Sequence, residues 1–441
     1  MDIYSINVNN ELKNYSIKFL ERDEEKKQDI YILEPEIVEK IKCPHCNNEH
    51  VYVNKYYYVD LKNGINDDGY IDVFRVKIPN YKCISNNCGK TFSYKIPFRY
   101  KNYKITISLS KKILNIFQYT TCYAEISKIT GVNEIIVKNI CDEKMDKDKQ
   151  ISYEKIKKNK VKKLCIDENF ISKKHGYYTI FQDYDTGAMI YSCKGKGVKP
   201  IYDFKEKFGE DFINNIEEVC VDMSFPYISG VLKYIPNAKI SLDKFHIIKN
   251  FNYKVVKPTY NKLLAENKKA KEIIEKQMEN GIFPDAIKET YKNIIDLRQL
   301  LIKNRENLKK TKSQLSKETI LEIEKLKENY IEIFEIRDFR DKIDELMNNN
   351  DYDYISKEYD ILLEKYLNSK NDKLKNYCKT IKNKYIKYIK NISICNISNG
   401  VIESFNKSIN QIINIGRGYK NVDQIFKIAF FRSNLKHRRY S

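Results

Sequence analysis

VKKLCIDENF (161–170), GYYTIFQDYDTGAMIYSC (176–193), EEVCVDMSF (217–225) and AKISLDKFHIIKNF (238–251) follow one another in the middle of the chain. The first is an apolar run that ends in two carboxylates, Asp167 and Glu168, and reads as a buried strand. The second reads as two strands joined by a turn at Asp185 to Gly187. The third is an apolar strand ending in Asp222, and the fourth is a strand that ends in Asp243 and runs into a helix. A three-stranded meander, a strand, a helix and a further strand predict a mixed α/β sheet. In such sheets the polar site lies beyond the strand ends, where carboxylates can converge without being buried.

Further along, NISNGVIESFNKSI (396–409) poses a question about Glu403, which is flanked by valine, isoleucine and phenylalanine. On a helix Glu403 shares a face with Asn399, Asn406 and Asn410, between Ile402, Phe405 and Ile409. An inward carboxylate needs partners, and Asp167 and Asp222 are the candidates. Clustered carboxylates repel and raise one another's pKa, so their convergence makes sense chiefly with cations present. Phosphoryl transfer on nucleic acid uses two divalent cations about 4 Å apart, and clustered hard oxygen ligands select Mg²⁺ or Mn²⁺. Between the two regions, residues 251 to 390 carry helical periodicity and dense mixed charge. No glycine stands between Gly281 and Gly400, and the last proline is Pro284, so this segment is expected to be all helical.

Upstream, CPHC (43–46) and CISNNC (83–88) are two cysteine pairs separated by alternating segments around NGINDDG. A β-hairpin that brings these knuckles together makes a zinc ribbon, with Cys43, Cys46, Cys83 and Cys88 as the four ligands and one structural Zn²⁺. The second pair is spaced more widely than the commonest form, so His45 or His50 could substitute. TTCYAEISKITGVNEIIVKNI (120–140) then reads as helix-turn-helix. Ala124, Ile126 and Ile129 form the apolar side of the first helix, Gly131 makes the turn, and Ile136, Val137 and Ile140 point inward from the second. Asn133, Glu134, Lys138 and Asn139 face outward, where a recognition helix meets the major groove. The 441 residues suffice for about three domains, and 80 Lys+Arg against 60 Asp+Glu give a formal charge of +20, suited to a polyanion. The N-terminus has no signal-peptide pattern and no apolar run is long enough to span a membrane, so the expected location is the cytoplasm, at the nucleoid.

These blocks resemble one family. CPHC…CISNNC, the helix-turn-helix, LCIDE, VCVDMSFPY, ISLDKFHIIKNFN and SNGVIESFNKSINQIINIGRGYKN are similar, in the same order and over nearly the full chain, to the ISL-three family of bacterial insertion-sequence transposases. The resemblance implies a multidomain α/β protein with a ribonuclease H-like catalytic core interrupted by a helical insertion. It divides the chain into a leader without a clear role (1–40), a zinc ribbon (41–100), a helix-turn-helix DNA-binding domain (101–150), the first part of the core (151–250), the insertion (251–390) and the C-terminal core helices (391–441). It implies Asp167, Asp222 and Glu403 as the catalytic acids and holders of two Mg²⁺ or Mn²⁺ ions. Asp243, His246, Asn399 and Asn406 would support the core or the DNA end, and Arg417 would join the DNA contacts. The implied partner is double-stranded DNA, both element ends and target, bound by a homodimer. A domesticated, inactive regulator of the same ancestry is the alternative. A zinc-ribbon transcription factor would leave the three acids unexplained. A tyrosine recombinase, suggested by HRRY (437–440), would need its tyrosine well downstream of its arginine.

Overall fold

The computed structural model describes residues 12, 14–36, 41–279, 284–395, 397, 400–415 and 421–437; Asn399 and Arg417 lie outside them. The chain forms two compact units, Met1–Ile151 with Asn410–Arg432, and Ser152–Ile409 with Ser433–Ser441. It is a mixed α/β protein whose described residues form two five-stranded sheets and many helices.

In the first unit, β1 (Tyr15–Asp23), β2 (Gln28–Pro35), β3 (Val51–Ile65) and β4 (Ile71–Cys83) lie in the order β1-β2-β4-β3, with β5 (Thr91–Ser93) on β4. The expected hairpin is β3–β4, turning at residues 66–70. The stretch expected to be a leader contributes two strands: β1 and β2 form a second hairpin, and β2 runs parallel to β4. Arg22 accounts for this attachment. Its guanidinium donates to both oxygens of Asp29 (2.6 and 2.8 Å) and to Asp68 in the β3–β4 turn (3.0 Å). Asn66 of that turn donates to Asp29 as well (2.8 Å). The Arg22 pairing holds the Asp29 carboxyl below its ordinary range. Beneath these polar ties Tyr15, Leu33, Leu61, Phe74, Val76 and Phe98 form the core.

Helices α1 (Ile107–Phe117), α2 (Tyr123–Thr130) and α3 (Glu134–Lys158) follow. The turn at Gly131 is where the sequence put it, and Asn133, Glu134, Lys138 and Asn139 are exposed. The buried face of α2 differs from expectation. Ala124 is exposed and Ile129 is 49% exposed, whereas Tyr123, Ile126 and Thr130 are buried. Tyr123 sets this rotation: its ring stacks on Phe117 at 6.0 Å, and its hydroxyl accepts from Gln424 (2.8 Å).

The second unit is built on the sheet β10-β9-β6-β7-β8, from β6 (Lys163–Ser172), β7 (Gly176–Asp183), β8 (Met189–Lys194), β9 (Glu218–Val221) and β10 (Lys239–Leu242). β6 is central; β9 and β10 run parallel to it on one side, and β7 and β8 form an antiparallel meander on the other. α4 (Val198–Phe208) and α5 (Glu210–Ile213) precede β9, and α6 (Phe225–Tyr234) joins β9 to β10. A Cβ on Gly230 would stand 2.6 Å from Ile201, so glycine is what lets α6 close on α4. From β10 the chain enters α7 (Lys244–Phe251), a π turn (Asn252–Val256) and α8 (Lys257–Glu279). The helical segment continues as α9 (Asp285–Lys303), α10 (Lys317–Asn329), α11 (Ile331–Met347), α12 (Tyr352–Leu367), α13 (Asp372–Thr380) and α14 (Ile386–Lys390). Its core is aromatic: Phe251 stacks on Phe339 at 5.2 Å, with Tyr366 and Tyr377 edge-on. Asn391 returns the chain to the sheet by donating to the Ile240 carbonyl (2.7 Å). α15 (Gly400–Ile415) and α16 (Val422–His437) complete the chain, and Ser433 accepts from the Met189 amide of β8 (2.7 Å). No helix among the described residues is long and apolar enough to cross a membrane.

Gly131 is the tightest point of the first unit. Its φ is +66°, its carbonyl accepts from Lys62 (2.6 Å), and a Cβ there would meet Ile71 at 2.7 Å. Gly131→Ala should therefore lower the stability of this unit by about 1–3 kcal/mol through left-handed strain and the clash. Urea denaturation followed by tyrosine fluorescence measures it, and an unchanged midpoint would show that the turn bears no such constraint.

Candidate functional site

Two groups of side chains stand out. The first lies at the open end of the β3–β4 hairpin. Cys43 and Cys46 sit just before β3, Cys83 ends β4, and Cys88 follows in the next turn. Their four sulfurs lie within 4.8 Å of one another, with Cys43 to Cys88 at 3.7 Å and Cys46 to Cys83 at 3.6 Å. A tetrahedron of thiolates at the usual Zn–S distance has edges of about 3.8 Å, so the set is compatible with a structural zinc site. Neither His45 nor His50 belongs to the group. Burial raises the Cys43 thiol, but the backbone amides of His45 and Cys46 outweigh that effect and bring it down to about 7, which favours the thiolate.

The second group is acidic and belongs to the central sheet of the other unit. Asp167 is not at a strand end as expected: β6 continues to Ser172, because its pairing with β7 runs on to Ser172 opposite Gly176. Its parallel pairing stops earlier. Cys165 is opposite Cys220 and β9 ends at Val221, so Asp167 is level with Asp222. Leu242 is opposite Val221, so Asp243 is level with them both, and the Asp243 amide donates to the Val221 carbonyl (2.9 Å). Three aspartates thus stand at the same level across three adjacent parallel strands, Asp167 within β6 and Asp222 and Asp243 directly after β9 and β10, with neighbouring strands about 4.8 Å apart. Asp243 also caps α7, accepting from the His246 amide (3.3 Å), while His246 Nε2 stands 3.9 Å from its carboxylate.

Burial dominates the electrostatics here. It pushes Asp167 and Asp222 up to about 6; His246 opposes the rise, and the neighbouring carboxylates of Glu168 and Asp243 add to it. Asp167 is only 6% exposed. Asp222 Oδ1 is buried and has no hydrogen-bond partner among the described residues. A buried carboxylate oxygen with nothing to accept from is costly unless a cation occupies its lone pairs, and an all-oxygen donor set suits Mg²⁺ or Mn²⁺.

Glu403 lies in the first turn of α15, half-exposed, with Ile402 and Ile409 buried on either side of its stripe. One turn on, Asn406 joins this helix to β6. Its amide donates to Asp167 Oδ2 (2.8 Å), and its carbonyl oxygen accepts from Asn169 (3.4 Å). Asp167, Asp222 and Glu403 are not themselves gathered at metal-bridging distance. Among the described residues, the cysteines are the one group of three or more His, Cys, Asp or Glu side chains with ligand atoms within 4.8 Å. Sequence reasoning missed Asn169 and Tyr227. Asn169 was findable, since it alternates with Asp167 on one face of β6. Tyr227, which donates to Glu168 (3.4 Å) and pairs with Thr179 (2.9 Å), carried no signal beyond its place in α6.

Because burial lifts the folded-state pKa of Asp167 and Asp222 above the ordinary carboxylate value, each destabilises the metal-free protein at pH values above that ordinary value. The penalty grows until the pH passes about 6 and is full at neutrality. Asp222→Asn should accordingly raise the stability of the metal-free protein by about 1–3 kcal/mol at pH 7 and leave it unchanged near pH 3. Thermal melts at the two pH values measure this; an equal effect at both would refute the electrostatic cause.

A search of curated proteins finds no match. A family model does match: residues 164–429, from the start of the β6 apolar run to the middle of α16, fit the ISL3 DDE family described as transposase. The matched span takes in Asp167, Asp222, Asp243, His246, Glu403 and Asn406 and covers more than half of the chain. The protein belongs to the ISL3 transposase family.

Proposed function

We propose that the protein is a DDE transposase that binds the terminal repeats of an insertion sequence, cuts at the element ends and joins them to target DNA. The observation that carries the reading is the common level of Asp167 and Asp222 on adjacent strands, together with the Asn406 bond that ties the Glu403 helix to Asp167. The strand order, with β6 between a parallel pair and an antiparallel meander, supports a ribonuclease H-like core. Helices α8–α14 would then be the insertion that separates this sheet from Glu403.

In this reading Asp167, Asp222 and Glu403 are the catalytic acids and would hold Mg²⁺ or Mn²⁺, which when bound supplies Lewis acidity to the attacking and leaving oxygens. Asn406 fixes the Asp167 carboxylate, so the acid is positioned before substrate arrives. Asp243 orients His246 at the start of α7. None of these side chains is an activated nucleophile, so water is the attacking group at the element end, and the released 3′-hydroxyl is the attacking group at the target. Exchange of one phosphodiester for another needs no ATP. The ribbon and the exposed start of α3, with Asn133, Glu134, Lys138 and Asn139, would read the duplex ends, which a dimer would pair.

Purified protein, an oligonucleotide carrying the element end and Mg²⁺ test the site. Asp167→Ala, Asp222→Ala and Glu403→Ala should each lower strand cleavage at least 100-fold, the scale of several kcal/mol of lost transition-state stabilisation, and leave duplex binding intact. A Glu403→Ala protein that cleaves at the parental rate would remove Glu403 from the site. For the ribbon, metal analysis should give one zinc per chain, and chelation should melt the β3–β4 module. Protein that is folded and free of zinc would contradict the structural role.

A further inference from the structure

The helix that leaves the acidic site carries a second, different kind of site. The π turn at Asn252–Val256 keeps α7 and α8 continuous, and Phe245, Lys249, Tyr253 and Lys257 recur along it every four residues. That spacing puts them on one face. Phe245 is 54% exposed and Tyr253 70% exposed, two large rings left in solvent. Lys249 lies 5.8 Å from the Phe245 ring centre and Lys257 5.7 Å from that of Tyr253. Neither lysine forms an ion pair with a carboxylate among the described residues. Lys309, held by Glu306 (2.7 Å), closes the far wall. Together with Ile248 and Asn252 these residues line a pocket of about 330 Å³, and no acid lines it.

Exposed rings beside a cationic rim match two parts of a nucleotide, a flat base and a phosphate. Bases in a duplex hide their faces from such rings. Phe245 and Tyr253 are also two helical turns apart, about 12 Å along the axis, whereas duplex bases stack at 3.4 Å. The rings therefore suit bases of a splayed strand. A second copy of the chain is a poor occupant, since its formal charge of +20 would meet a lysine rim.

We propose that the face Phe245–Lys249–Tyr253–Lys257, with Asn252 and Lys309, binds unpaired nucleotides of a DNA strand, stacking bases on the two rings and placing phosphates on the lysines. The proposal rests on the transposase reading and deepens it: Phe245 adjoins His246, so the groove would hold the strand that separates next to the cleavage point.

The test uses the full chain, without magnesium, and fluorescence anisotropy with a labelled 15-nucleotide single strand and its blunt duplex. Phe245→Ala and Tyr253→Ala should each weaken single-strand binding roughly 5- to 150-fold, the range of one stacking contact, and leave duplex binding unchanged. Tyr253→Phe should retain parental affinity. Replacing Lys249 and Lys257 together by alanine should reduce the slope of log affinity against log salt by about 1.4 on the single strand. Both rings are exposed, so the variants should melt with the parent. No loss on the single strand, or an equal loss on both DNAs, would overturn the proposal. So would a change of oligomeric state in sedimentation with single-strand binding intact, because the face would then be a protein interface. Wild-type protein that fails to cleave would sink the transposase reading alone, since this assay involves no cleavage.

Discussion

Much of the second unit depends on where parallel pairing stops. β6 continues past Cys165 because β7 holds it, while β9 and β10 end one residue short of an aspartate each. Three acids are thereby fixed at one level on neighbouring strands, on backbone that cannot move without breaking the sheet. Burial of Asp167 and Asp222 is unfavourable for the folded chain, and Asp222 in particular has an oxygen without a hydrogen-bond partner among the described residues. Such an arrangement fits a sheet whose stability is sacrificed locally for a site that a cation completes.

The same logic explains the long detour of the chain. Between β10 and α15 the polypeptide builds a helical body on its own aromatic core of Phe251, Phe339, Tyr366 and Tyr377. It then comes back through Asn391, whose side chain binds the Ile240 carbonyl of β10. The detour begins at Asp243, which caps α7, and after it α15 brings Asn406 onto Asp167. Both ends of the helical body are therefore tied to the acidic level of the sheet. The exposed rings of Phe245 and Tyr253 lie at the start of this path, in α7 and the π turn that follows it.

Much of this was legible in the sequence, for identifiable reasons. Cysteine pairs flanking an alternating hairpin have few other uses, so Cys43, Cys46, Cys83 and Cys88 could be named in advance. Gly131 could be placed because only a left-handed residue closes that turn. The meander and the strand–helix–strand order were visible in apolar runs bounded by turns. Asp167 was misplaced at a strand end because its lateral partner β7, and not its own residues, decides how far β6 extends. The buried face of α2 was rotated because Tyr123 stacks on Phe117, a contact that periodicity cannot foresee. The strands at 15–35 escaped notice because their tie to the β3–β4 turn, Arg22 with Asp68, joins residues remote in sequence. The exposure of Phe245 and Tyr253 has the same origin, since an apolar residue on a helix is expected inside.

The proposed function requires that Asp167, Asp222 and Glu403 hold cations at one place. Glu403 is the critical member, being half-exposed and lying one turn before Asn406, whose side chain bonds Asp167 of the sheet. Replacing Mg²⁺ with Fe²⁺ and adding ascorbate and peroxide generates hydroxyl radicals that cut the backbone beside the bound ion. Mass spectrometry of the fragments then maps the ligands directly. The account predicts three clusters of cuts, around residues 167, 222 and 403, all suppressed by excess Mg²⁺. Cuts near 167 and 222 with none near 403 would contradict it.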